Sequence, residues 1–298
     1  MQFCSYRTEK ILVLLSQCLC NILSMNRFLL FFHGIAGRCF CLLLFLAFPF
    51  WASGNESSPL KQELKVLVLI ITSDHFPVYK EFQKIWKSYM HLDPAHFEVY
   101  FLRADPNMKE LYRIDEDTIW SRTGEDWCPD PGILNKTIIS LEAMQPRLDE
   151  FDYVLRTNLS ALFVFPQLLN YLKTMPRQRC YTGSNTGENS IIGSGSGFII
   201  SSDVARMLIS DRDLLIDHTE GTDDVTVGLC LKKRHGVHLI RKDRIDIWSL
   251  PQWQAMKDSL PSDVFHFRVK SPDEERVVTD TFIQSQLRDM FYPEAAAN

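Results

Sequence analysis

Apolar and polar positions in this chain alternate between two spacings, one of strands and one of helices. Lys65-Val-Leu-Val-Leu-Ile-Ile-Thr72 is a continuous apolar run of strand length, the pattern of a strand buried on both faces. Next, Phe82, Ile85, Trp86 and Tyr89 recur at helical spacing with Pro77 near the first turn, which predicts an amphipathic helix. Phe97-Glu-Val-Tyr-Phe-Leu102 returns to strand character and ends in Arg103-Ala-Asp-Pro106. Strand, helix, strand in that order opens a parallel α/β sheet. The stretch from Asp115 to Pro131 reads as an acidic loop, followed by a helix over 133–144 and a strand over 151–156. Beyond Pro166 the pattern predicts a helix to Lys173 and a strand near 179–182. A loop, Gly193-Ser-Gly-Ser-Gly197, then leads into a strand over 198–200. Ser202 or Asp203 caps a short helix that ends near Ile209. Another helix begins at Thr222, burying Val225 and Leu229. Late strands are expected over 237–240 and 264–269, and a closing helix over 275–290. The expected fold class is α/β: one domain over 63–292, a Rossmann-type mixed, mostly parallel sheet flanked by helices, with 293–298 as a tail.

The front of the chain follows neither spacing. Residues 11–23 and 28–51 are dominated by Leu, Phe, Ile, Val and Cys, broken mainly by Arg27, His33 and Arg38. The second run is long enough for a membrane span, which needs about 20 apolar residues. Residues 1–52 therefore read as a retained signal-anchor. The alternative is a cleaved signal peptide, since Ala52-Ser53-Gly54 supplies small residues after the apolar stretch, and Met25 would serve as its start. Both readings send the protein to a membrane or beyond it, with the side left open. Residues 53–62 form a polar stem.

Charge and cysteine usage narrow the function classes. A net charge of −5 and a pI near 5.9 argue against nucleic acid, which wants a basic face. Five of the eight cysteines lie in the leader, and Cys128, Cys180 and Cys230 show no C-x-x-C spacing. A zinc site or a disulfide framework is thereby excluded, and the core must supply the stability. Nothing calls for an organic cofactor or indicates an oligomeric state.

Four segments can carry chemistry. The strand over 151–156 stops in a polar turn, Arg156-Thr-Asn-Leu-Ser160, and such strand ends hold ligand-facing residues in nucleotide-handling α/β enzymes. The glycine-rich loop lacks the Lys-Ser/Thr of a phosphate cradle, so it is either a flexible turn or an acceptor-binding loop. Thr222 is a natural N-cap that puts Asp223 and Asp224 in a first helical turn, where they compensate the helix dipole or serve as general base; Gly228 would let this helix approach the sheet. His266 is a core histidine or a ligand. Arg268 and Lys270 alternate with it, so the three share one strand face and suggest an anion site.

In this order the segments resemble the beta-1,3-galactosyltransferase and Fringe-like glycosyltransferase family. That family has a strand of the type F-x-x-K-T-D-D-D-V-F-V, then C/S-G-G-Y-V-L-S, then E-D-V-x-V-G, then a late histidine. The matching stretches are Tyr153–Val164, Gly195–Ser201, Asp223–Gly228 and His266. Leu134-Asn-Lys-Thr-Ile-Ile139 is similar to the family's N-L-T-L-K-T helix, and the likeness covers most of residues 65–270. The resemblance implies a GT-A fold and inverting transfer from a nucleotide-sugar, a UDP-sugar, to a glycan or glycoconjugate hydroxyl. It implies Asp224 as base with Asp223 beside it, Gly195, Ser196, Gly197 and Phe198 along the acceptor, and His266 near the metal or diphosphate. One departure is sharp: the family's acidic triplet falls on Asn158-Leu159-Ser160. Mg²⁺ or Mn²⁺ near phosphates wants carboxylates, so Asn158, Ser160 and His266 are weak ligands for such an ion. Side-chain cations are then expected to share the diphosphate charge, the candidates being Arg156, Lys136, Arg268 and Lys270. A non-catalytic, degenerate module that binds nucleotide-sugar or carbohydrate is the rival reading. Retention of the Asp pair and His266 argues against it.

Overall fold

Six consecutive apolar side chains leave β1 (Val66–Ile71) nothing polar to show on either face, and in the computed structural model all six are buried at the centre of an eight-stranded sheet. The structure describes residues 63–124, 132–185, 192–217, 221–272 and 276–296. The expected leader and stem over 1–62 lie outside the described residues, as does Cys128. No helix among the described residues is long and apolar enough to cross a membrane.

On one side of β1 the sheet continues through β2 (Phe97–Ala104), β4 (Thr118–Ser121) and β3 (Tyr112–Asp115). On the other it runs through β5 (Tyr153–Asn158), β8 (Gly193–Ser201), β7 (Tyr181–Asn185) and β9 (Ile240–Arg241). Strands β4, β2, β1 and β5 are parallel, β3 and β8 run against their neighbours, and β9 is parallel to β7. The mixed, mostly parallel α/β sheet expected from the sequence is therefore present. From β1 the chain moves outward to β2, then returns to the other side of β1 as β5. That reversal makes the carboxyl ends of β1 and β5 a topological switch point, where open α/β sheets leave a crevice for ligands.

The alternating side chains of β1 feed two cores. Val66, Val68 and Ile70 pack in one cluster with Phe82, Ile85 and Trp86 of α1 (Pro77–Tyr89) and Ile283 and Leu287 of α8 (Arg276–Phe291). Leu67, Leu69 and Ile71 pack in the other with α2 (Gly132–Met144), α4 (Ser202–Ser210) and α6 (Asp223–His235). A second, three-stranded sheet, β10 (Ile245–Ile247), β11 (His266–Val269) and β6 (Ala161–Phe163), stands beside the first. Only Leu159 and Ser160 separate β5 from β6, so this turn lies where the two sheets meet.

Several expectations change. The acidic loop from Asp115 is in part a hairpin: β3 and β4 pair around a turn in which Glu116 adopts a left-handed φ of 47°. All four β3 residues are exposed, so the brief alternation of Tyr112 and Ile114 with Arg113 and Asp115 marks no buried face. The expected glycine-rich loop is strand β8 from Gly193 onward, hydrogen-bonded between β5 and β7. Small residues are required there: a Cβ on Gly197 would stand 2.5 Å from Phe163 Cζ and 2.8 Å from His266 Cε1. The N-cap of α4 is Ser201, and Asp203 instead accepts the Arg179 backbone N–H at 3.0 Å. Helix α6 buries Val227, Cys230 and Leu231 rather than Val225 and Leu229. Its Gly228 does bring it close, since a Cβ there would lie 2.9 Å from Ile192. The late strands shorten to β9 and β11. Short helices α3 (Phe165–Leu172), α5 (Arg212–Asp217) and α7 (Leu250–Met256) complete the layers. The expected tail starts as helix α9 (Pro293–Ala296), with Ala295 buried. The Tyr292 hydroxyl before it donates to the Phe163 carbonyl at 2.7 Å.

Candidate functional site

The carboxyl ends of β1, β2 and β5 open into a cleft of 890 Å³. That volume falls within the about 300–1,000 Å³ typical of small-molecule sites. Gly195 is the knot of its floor. Its N–H donates to Asp224 Oδ2 at 2.7 Å, while its carbonyl accepts from Arg156 Nη1 at 2.6 Å and Asn158 Nδ2 at 3.2 Å. A Cβ at this position would meet Asp224 Oδ2 at 3.2 Å and Arg156 Nη1 at 3.3 Å, so glycine allows the close approach.

The two acids of α6 have different fates. Asp223 forms an ion pair with the buried Arg156 guanidinium. Burial pushes its carboxyl above the usual carboxylate value, Arg156 pulls it back, and Asp224 adds to the rise. Asp224 lines the cleft; its Oδ1 accepts from Thr222 Oγ1 at 2.5 Å and from the Val225 N–H at 3.0 Å. Thr222 is the N-cap as expected, but its hydroxyl turns to Asp224 and not to the helix backbone. Three donors thus hold one carboxylate in a defined orientation at the cleft wall.

Opposite lies a row of cations. Strand β11 carries Arg268 to the cleft and the chain beyond it carries Lys270; α8 adds Arg276. Arg276 Nε donates to the buried Asp280 at 2.5 Å, and its Nη2 reaches Ser160 Oγ at 3.2 Å. Its guanidinium also lies 5.8 Å from the centre of the Tyr79 ring. Among the described residues, the one acid paired with Arg268 is Asp246, at a loose 3.8 Å and already held by Arg244 at 2.9 Å, and the Arg268 guanidinium lies 5.3 Å from the Trp248 ring centre. Lys270 has no ion-pair partner among the described residues. Burial, followed by neighbouring arginines, lowers the pKa of both Arg268 and Lys270. At the far end of the row, His75, Phe76 and Tyr79 make an aromatic ledge, with Phe76 and Tyr79 edge to face at 5.5 Å. Arg103, paired with Asp74 at 2.8 Å, closes that end.

The cleft gathers Arg156, Asn158, Ser160, Gly195, Ser196, Asp223, Asp224, Arg268 and Lys270. It does not gather the remaining sequence candidates. Lys136 is fully buried, and its Nζ donates to the Thr72 carbonyl at 2.6 Å, tying α2 to the end of β1. Gly197 and Phe198 do not line the cleft: Gly197 faces Phe163 and His266, and Phe198 packs in the core with the Arg156 guanidinium over its ring. His266 is also buried. It stacks on Phe163 at 4.2 Å, leaves Nε2 without a hydrogen-bond partner, and has its pKa driven well below the usual value by burial and by Arg244. Arg268 and Lys270 both reach the cleft, whereas His266 packs between the Phe163 ring and Gly197 of β8. Arg276 and the aromatic ledge were missed. A strand-end position would have flagged Arg103, whereas nothing local marks Arg276.

The strand end does not fit a divalent cation. Asn158 Oδ1 accepts the Ser160 N–H at 3.1 Å, Ser160 Oγ accepts from Arg276, and no carboxylate is available at either position. The acids nearby are committed to Arg156, to Gly195 and to Arg103. Elsewhere Asp211, Cys230 and His235 bring ligand atoms within 4.8 Å of one another, a grouping the sequence spacing did not suggest. Both Asp211 oxygens there are taken by Arg234, at 2.9 and 3.0 Å.

No protein-family model matches the chain, and no curated protein matches it. Among solved structures, it is similar to a glycosyltransferase involved in the glycosylation of the major capsid of PBCV-1, at 8% identity, covering 75% of this chain and 99% of that one, with a TM-score of 0.44. It is also similar to mouse xyloside xylosyltransferase 1 in its apo form, at 8% identity, covering 69% of this chain and 97% of that one, with a TM-score of 0.39.

Proposed function

We propose that this chain is an inverting glycosyltransferase that moves a sugar from a nucleotide-sugar, a UDP-sugar, to a glycan or glycoconjugate hydroxyl, tethered to or exported across a membrane by residues 1–52. One observation carries the reading: a single cleft at a switch point is lined by an aromatic ledge, a row of cations and an oriented carboxylate. A nucleotide-sugar presents the matching parts, with a base to stack, a diphosphate to neutralise and a reacting sugar at its end. Electrostatic neighbours give the order: Arg276 lies over Tyr79, Lys270 feels Arg276 and Arg268, and Arg268 feels Asp224.

In this mechanism Asp224 takes the proton of the acceptor hydroxyl. The acceptor oxygen forms its bond to the anomeric carbon as the bond to the diphosphate breaks, and that electron pair leaves with the phosphate oxygen. Gly195 and Ser196 border the acceptor. Asp223, neutralised by Arg156, is a positioning residue rather than the base. General-base loss is worth about 10²–10⁴ in rate. Asp224→Asn should therefore lower kcat by that factor, with a thermal midpoint close to the parent's, in a transfer assay run over a panel of nucleotide-sugars. Full transfer rate in a folded Asp224→Asn protein would remove the base. The neutral Asn158 and Ser160 favour a second reading, a module that binds the donor without turning it over. It predicts calorimetric binding of a nucleotide-sugar with neither transfer nor donor hydrolysis.

A further inference from the structure

We infer that the donor diphosphate is held without a divalent metal, by Arg268 and Lys270 from the second sheet and Arg276 from α8. This rests on the transferase reading and concerns how that same cleft handles charge. Two independent observations support it. The first is negative for a metal: the turn between β5 and β6 offers an amide oxygen already bonded to a backbone N–H and a hydroxyl already bonded to a guanidinium. A divalent ion there would have to displace both partners and tolerate Arg276 beside it. The second is positive for an anion: the cations of this wall outnumber the acids that answer them. Asp280 answers Arg276, Asp246 answers Arg244 before Arg268, and Lys270 has no acid of its own among the described residues. Like charges crowded at a half-buried wall repel one another, and a bound diphosphate relieves that repulsion. When the sugar leaves, the diphosphate gains a negative charge, so fixed cations stabilise the departing group more than the bound donor.

The architecture explains how a metal came to be unnecessary here. Strand β6 continues directly from the polar turn and pairs with β11, setting Arg268 opposite Ala161 and tying the Val269 N–H to the Ser160 carbonyl at 2.8 Å. The strand end where a metal would be expected is therefore fastened to the strand that carries the cations.

The test is calorimetric titration of the full chain with UDP and with inorganic pyrophosphate, each in EDTA and in Mn²⁺. The expected result is binding in EDTA, with the UDP affinity changed less than about threefold by Mn²⁺. Lys270→Gln and Arg268→Gln should each weaken it by about tenfold or more, the size of a lost charge-assisted contact. Lys242→Gln, which alters a surface cation paired with Asp263, should leave it unchanged. Circular dichroism melts confirm that each variant is folded. Binding seen only with Mn²⁺ would overturn the metal-free clamp and leave the transferase reading standing. Binding in EDTA that survives both Gln variants would overturn the assignment to these residues. If the folded protein binds neither ligand in either condition, both the clamp and the proposed function fall.

Discussion

Replacing Arg156 should damage the fold through the acid it leaves behind. Arg156 is 3% exposed and its partner Asp223 is 17% exposed, so both charges are largely withdrawn from water. Removing one member of a buried pair costs about 3–5 kcal/mol, because the other charge stays buried and uncompensated. For a domain of this size, about 2–4 °C of melting temperature accompanies each kcal/mol, so Arg156→Met should melt about 6–20 °C below the parent. The folded pKa of Asp223 already lies above its ordinary value, so the folded state holds that proton more tightly than the unfolded chain does. Stability from such a group is full below the ordinary carboxylate pKa and is lost as pH rises through the raised one. Taking away Arg156 raises the folded pKa further, so the deficit of Arg156→Met should be largest at neutral pH and shrink on acidification. Urea unfolding of Arg156→Met, Asp223→Asn and the double variant measures the coupling. The double variant should be more stable than Arg156→Met, with a coupling of about 2–3 kcal/mol. Single-variant losses below about 1 kcal/mol that simply add, with no dependence on pH, would refute the buried-pair argument.

Two further predictions test the frame around the cleft. Gly197→Ala would force a methyl against Phe163 and His266 in the middle of β8, and should cost about 1–3 kcal/mol or more by overpacking, read as a lowered urea midpoint; an unchanged midpoint would mean that β6 and β11 can give way. Asp211, held by Arg234, His235 and Cys230, has its pKa lowered from 3.8 to about 2. Its contribution to stability should be complete above pH about 4 and fade as pH falls toward about 2, and Asp211→Asn should remove that segment of the pH–stability curve.

Local pattern was enough for the elements whose burial is two-sided or periodic. A six-residue apolar run rich in Val and Ile and bounded by Lys65 and Thr72 fits a strand buried on both faces, and the spacing of Phe82, Ile85 and Trp86 fits one helix face, so β1, α1 and the strand–helix–strand opening were legible from Lys65 onward. The Asp pair at a helix start and the alternation of Arg268 with Lys270 are likewise short-range facts, and all four residues line the cleft. Strand β3 alternates apolar and polar residues over only four positions and buries neither face, so it did not stand out from the acidic stretch beside it. The small residues of Gly193–Gly197 read as a turn because their reason, the closeness of Phe163 and His266, comes from residues distant in sequence.

What only the tertiary structure decided is which polar groups meet. Sequence chemistry named four cations for the diphosphate. Packing withdrew Lys136 into the core on the Thr72 carbonyl, engaged Arg156 with Asp223, and set Arg268 and Lys270 along the cleft beside Arg276, which comes from a helix 116 residues beyond Ser160. It also buried His266, because Gly197 of β8 and the Phe163 ring lie against it. A residue's type and period determine which face it takes. Whether that face meets water, a neighbour or a ligand depends on chain segments far away in sequence, and no local pattern carries that information.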